Sequence, residues 1–105
     1  MAFPNSQSNP TGAIPVYQGA SNVAIVTASG QVVTGAGVLQ GVNLGTAGSG
    51  ATVSFYDGTS DTGKLLWSFS ADAMPYDTKP GVPYATGLYV SIVATTSPSV
   101  NVTYI

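Results

Sequence analysis

Between Ala51 and Ser70 the chain alternates with a period of two. Val53 and Phe55 are interleaved with Thr52, Ser54 and Tyr56, and Leu65, Trp67 and Phe69 with Leu66, Ser68 and Ser70. Successive side chains of a pleated strand point to opposite faces, so each run gathers large apolar groups on one side and hydroxyls on the other. The intervening Asp57-Gly-Thr-Ser-Asp-Thr-Gly63 consists of small polar residues and two glycines, the chemistry of a turn longer than two residues. The pattern predicts a β-hairpin.

Shorter runs follow the same logic. Val23 to Thr27 and Gln31 to Thr34 flank Ser29-Gly30 and predict a second hairpin. Val38, Val42 and Leu44 share a face of the run from Val38 to Leu44. Leu88, Val90 and Ile92 alternate with Tyr89 and Ser91, and Val100, Val102 and Tyr104 line one side of a last strand. Ile14-Pro-Val-Tyr17 is apolar, but its proline confines it to a sheet edge or a lead-in. Ala71 to Pro83, with three prolines, reads as a long irregular loop. Residues 1–13 set Pro4, Pro10 and Gly12 among polar side chains and read as an extended arm. No run has helical periodicity supported by caps. About seven short strands at such spacings predict an all-β fold, an antiparallel β-sandwich or jelly-roll-like barrel. Its single domain spans residues 14–105, behind the arm of residues 1–13; a chain of 105 residues has no room for a second core.

Charge changes this picture. Charged residues make up 6 % of the chain, against about 25 % in ordinary soluble domains. All six lie between positions 57 and 79 (Asp57, Asp61, Lys64, Asp72, Asp77 and Lys79), and the first 56 residues have no charged side chain. A freely diffusing monomer normally keeps charge on its surface; neutral faces suit a protein covered by a partner, or one solubilised by Ser, Thr, Asn and Gln alone. Two lysines, no arginine and a net charge of −2 argue against nucleic acid, whose phosphates are held by several basic contacts, and against anionic membranes. No apolar run approaches the ~20 residues that span a bilayer. The start, Met-Ala-Phe-Pro-Asn-Ser6, lacks the basic and apolar regions of a signal peptide, so synthesis and retention in the cytosol are expected.

Candidate chemistry is sparse. Without His or Cys the usual acid–base and nucleophile constellations are excluded, no thiolate can bind a metal, and the abundant serines have no evident activating base. The four Asp residues lie in polar loops where nothing predicts a raised pKa. Asp57, Thr59 and Asp61 resemble the opening of a calcium loop, but the twelfth position, where a bidentate Glu belongs, is Ser68; a plain turn is the better reading. The glycines from Gly35 to Gly50 have no following helix, so they read as bulges and turns and not as a nucleotide loop. The expectation is a non-enzymatic module with no cofactor and no metal.

The segments Gly37-Val-Leu-Gln-Gly-Val-Asn-Leu44, Thr46 to Gly58, Gly63-Lys-Leu-Leu66, Thr86 to Ala94 and Ser97 to Tyr104 resemble small tailed-bacteriophage virion proteins of the capsid decoration, or cement, type. The resemblance implies a β-sandwich or jelly roll on the capsid exterior that binds the major capsid protein, with a trimer as the first expectation for its homo-oligomer. On that reading Phe3, Pro4, Ile14 and Tyr17 contact the shell, while the loop carrying Tyr76 and Lys79 faces solvent or a symmetry mate. The alternative is a tail, neck or fibre-base module in which Tyr76 and Tyr84 meet a host-surface glycan or a virion partner.

Overall fold

A computed structural model describes residues 21–105; the 1–13 arm and the Ile14–Tyr17 run, hence Phe3, Pro4, Ile14 and Tyr17, lie outside the described residues. Among the described residues there is no helix, and nine strands follow in order: β1 Asn22–Val26, β2 Gly30–Thr34, β3 Gly37–Thr46, β4 Thr52–Asp57, β5 Lys64–Ser70, β6 Asp77–Thr78, β7 Val82–Tyr84, β8 Gly87–Val93 and β9 Ser99–Tyr104. One sheet has the order β1-β9-β3, with β6 and β7 both paired to the far side of β3; the other has the order β2-β8-β4-β5.

The order follows from rolling one long hairpin. Its tip is the predicted β4–β5 pair; going outward, β3 pairs with β6 and β7, β2 with β8, and β1 with β9, every pair antiparallel. These pairs alternate between the sheets, and β9·β3 and β8·β4 contacts stitch each sheet together. That is the strand order of a jelly roll, with one edge strand broken into β6 and β7. The two sheets pack face to face and do not close into a barrel.

Two expectations need correction here. The Val23–Thr27 and Gln31–Thr34 runs do not form a hairpin. The connection after Val26 crosses to the other sheet, because β9 and β8 supply the partners of β1 and β2. Ser29 secures this crossing: its hydroxyl accepts from the Ile92 N–H at 2.8 Å and lies 3.3 Å from the Ile92 carbonyl, to which it donates. The Ala71–Pro83 stretch is not wholly irregular, since β6 and the start of β7 are laid along β3.

The core lies between the sheets. Leu39, Val42, Leu44, Val100 and Val102 meet Val53, Phe55, Phe69, Leu88 and Val90, all buried. Alternation identifies these positions except where an extra residue shifts the phase. In β3 the register slips between Leu39 and Gly41, so Leu39 joins Val42 and Leu44 inside in place of the expected Val38. In β5 a slip opposite Phe55 and Tyr56 turns Leu66 towards the core and leaves Leu65 54 % exposed. A single inserted residue reverses every side chain beyond it.

Candidate interaction surfaces

With Val53, Phe55, Leu88, Val90 and Phe69 turned inward, the outer face of the four-stranded sheet is determined by alternation. Cross-strand register sets Tyr56 beside Tyr89 on one flank and Leu65 on the other. The next row is Ser68, Ser54 and Ser91, with the Ser54 and Ser68 hydroxyls 2.9 Å apart, and the row after it is Ser70, Thr52 and Val93. None of these positions carries a charge. The charged side chains sit instead in or beside the turn after β4 and in the β5–β7 connection.

The opposite sheet presents amides. Asn43 and Asn101 face each other across β3 and β9, the Asn101 Nδ2 donating to the Asn43 Oδ1 at 2.8 Å. Beside them Gln40, Gly41, Asn43, Asp77, Lys79 and Thr103 line a shallow depression of about 410 Å³. Lys79 and Asp77 form an exposed ion pair at 3.9 Å, which contributes little in water. A second opening, about 340 Å³, lies where β1 and β2 part, lined by Ala24, Val26, Val32 and Val90 among others.

The predicted loop residues separate. Lys79 stands on the outer depression, whereas the Tyr76 ring stacks on Phe69 with centroids 4.1 Å apart and its hydroxyl accepts the Trp67 indole N–H at 3.0 Å. Tyr84 is buried and donates its hydroxyl to the Ile105 carbonyl at 2.7 Å. Burial, followed by the neighbouring Tyr104, pushes its pKa above the ordinary tyrosine value. Both rings hold the fold together.

Asp57 has a structural task as well. Its carboxylate accepts from the backbone N–H groups of Ala85 at 2.9 Å, Thr86 at 2.8 Å and Gly87 at 3.3 Å. The Ala85 and Thr86 bonds are the main causes that hold its pKa below the ordinary aspartate value. Asp57 thus pins the corner between β7 and β8 to the tip of the β4–β5 hairpin, and the calcium-loop pattern resolves into this latch. Among the described residues no three His, Cys, Asp or Glu side chains stand together as a metal site would need, and no helix is long and apolar enough to cross a membrane.

Sequence reasoning missed the amide face of Gln40, Asn43, Asn101 and Thr103. Its only signal is polar alternation along β3 and β9, which a bulge at Gln40 interrupts. No family model matches the chain, and neither a curated protein nor a solved structure is significantly similar to it.

Proposed function

We propose that this protein is a non-enzymatic component of a bacteriophage virion, a decoration protein that lies on the outer capsid surface and reinforces contacts between subunits. One observation carries the reading: the outer face of β2-β8-β4-β5 has tyrosine, serine and threonine side chains in register and no charge. Such a face loses no ion hydration when another protein covers it, and tyrosine supplies contact area at low entropic cost. The jelly-roll strand order and the family resemblance agree with a virion role, though a fold by itself does not fix a function. In this reading the major capsid protein is the partner, many copies bind, and a trimer places three neutral faces on one junction. Tail, neck and fibre-base modules form the competing class. Its two tyrosines, Tyr76 and Tyr84, are engaged in packing and hydrogen bonds within the chain.

The test is the amount of this protein in purified particles relative to the major capsid protein, before and after mild denaturant. A decoration role requires hundreds of copies and loss of particle integrity once they are stripped. A few copies at one vertex would replace it with the tail reading.

A further inference from the structure

On the sheet that contains β3 and β9, Val42 and Val102 point into the core, so the residues beside them point outward, with Asn43 opposite Asn101 and Gly41 opposite Thr103. Strand β6 sets Asp77 opposite Asn43 at the rim. Gly41 is therefore a gap in an otherwise polar face. Neither packing nor backbone requires a glycine at this position. Its φ is not positive, and an added Cβ would meet the Thr103 Cβ and the Thr78 carbonyl oxygen at 3.6 and 3.7 Å, ordinary van der Waals distances. The missing side chain instead opens the floor of the depression lined by Gln40, Asn43, Thr103, Asp77 and Lys79. Its volume of about 410 Å³ falls within the roughly 300–1,000 Å³ of small-molecule sites.

We propose that this depression binds a neutral saccharide. The pattern of donors and acceptors selects for hydroxyl groups. The Asn101 Nδ2 donates to the Asn43 Oδ1, and the Ser21 hydroxyl donates to the Gln40 Oε1 at 2.7 Å, so each amide is held in one orientation. The Asn43 and Gln40 nitrogens are left to donate and the Asn101 oxygen to accept, while the Thr103 hydroxyl does both. A sugar hydroxyl also donates and accepts, so neighbouring hydroxyls of one ring match the donor of one amide and the acceptor of the next. Other ligand classes fit less well. An anion meets a single ammonium, whose charge is opposed by Asp77 at 3.9 Å, and a cation meets one carboxylate beside that same ammonium. A hydrocarbon finds no apolar side chain in the lining. A peptide backbone pairs along a strand edge and not on a sheet face. Without an aromatic ring or an unopposed charge in the lining, binding rests on neutral hydrogen bonds worth a few-fold in affinity each, which sets Kd on the order of millimolar. The site lies on the sheet opposite the neutral face of β2-β8-β4-β5, so it does not depend on the proposed capsid contact.

Titration of the full, nitrogen-15-labelled chain with maltotriose, cellotriose and mannotriose tests this by NMR, with inorganic phosphate and triglycine as the anionic and peptide probes. At least one trisaccharide is expected to shift the side-chain amide signals of Gln40, Asn43 and Asn101 saturably in the millimolar range. Gly41→Leu, whose side chain fills the floor, should abolish those shifts, while the backbone amide signals of the core residues Phe55 and Val90 stay in place and report an intact fold. Asn43→Ala, independent of that variant, should weaken binding roughly 3- to 10-fold, the loss of one neutral hydrogen bond. Absence of a saturable shift with all three sugars overturns the assignment. So do shifts that survive Gly41→Leu, and so does an equal response to phosphate or triglycine, which would give the depression to an anion or a peptide.

Discussion

At the residue scale, the consequential side chains are those that replace strand pairing with a single group. Asp57 holds three successive backbone N–H groups 28, 29 and 30 residues away. Its folded-state pKa is depressed, so its contribution to stability is present above the ordinary carboxylate range and is lost as pH falls through the folded value. The Asp57→Asn protein should melt below wild type at neutral pH, and the gap in Tm should close as the buffer is acidified. A gap that stays constant with pH would mean that the charge is irrelevant to the latch. At Gly37 the constraint is space: a Cβ there would overlap the Ile105 carbonyl oxygen and the Tyr84 hydroxyl, the two partners of a part-buried hydrogen bond. Gly37→Ala should therefore lose on the order of 2 kcal/mol or more by denaturant unfolding, an overpacking cost. Tyr84→Phe, which removes only the hydrogen bond, should lose about 1 kcal/mol.

At the element scale, bulges decide which residues count. Uninterrupted alternation reads Leu65 as buried, with Trp67 and Phe69, and Leu66 as outward; the slip in β5 exchanges the two leucines. Leu65→Ser is accordingly expected to stay within about 0.5 kcal/mol of wild type, whereas Leu66→Ser should cost roughly 1–2 kcal/mol of lost apolar burial. Equal effects in urea titrations would contradict the shifted register. The same contrast shows what was legible in the sequence. The regular strands β4, β8 and β9 and the β4–β5 hairpin follow from period-two alternation and turn chemistry, and Val53, Phe55, Val90, Val100 and Val102 are core residues as read. Leu39 and Leu66 were hidden because a bulge is a property of two strands in register, which one strand's pattern does not contain. The β1–β2 crossing was hidden for a related reason: adjacent runs resemble a hairpin until distant partners, β9 and β8, outcompete the local pairing. Asp57 gave no sign of its role because its partners are main-chain groups of a remote corner.

At the scale of the whole molecule, the charge distribution and the strand order meet in one surface. Rolling the hairpin turns every second residue of β4, β5 and β8 outward, and at these positions the sequence supplies Thr52, Ser54, Tyr56, Ser68, Ser70, Tyr89 and Ser91, with exposed Leu65 and Val93 at the margins. Keeping the charged residues at strand ends, turns and connections leaves the outer face of that sheet neutral, and this much was readable from the alternation and the charge map together. The proposed capsid contact can be challenged there without touching the core. Ser54→Lys and Ser91→Lys each place an ammonium in the middle of the serine row, at half-buried outer-face positions where the expected folding cost is about 1 kcal/mol or less. If the neutral face packs on the shell, each lysine must be desolvated without a partner, and binding should weaken by 2–5 kcal/mol or more, roughly 30-fold to several thousand-fold in affinity. The measurement is occupancy on particles assembled without the native protein, titrated with variant and wild type. Lys substitution at half-buried Thr103, on the amide face, serves as the matched control. Loss for Ser54→Lys and Ser91→Lys with retention for Thr103→Lys assigns the contact to β2-β8-β4-β5; the reverse pattern moves it to the face that carries Asn43, Asn101 and Lys79.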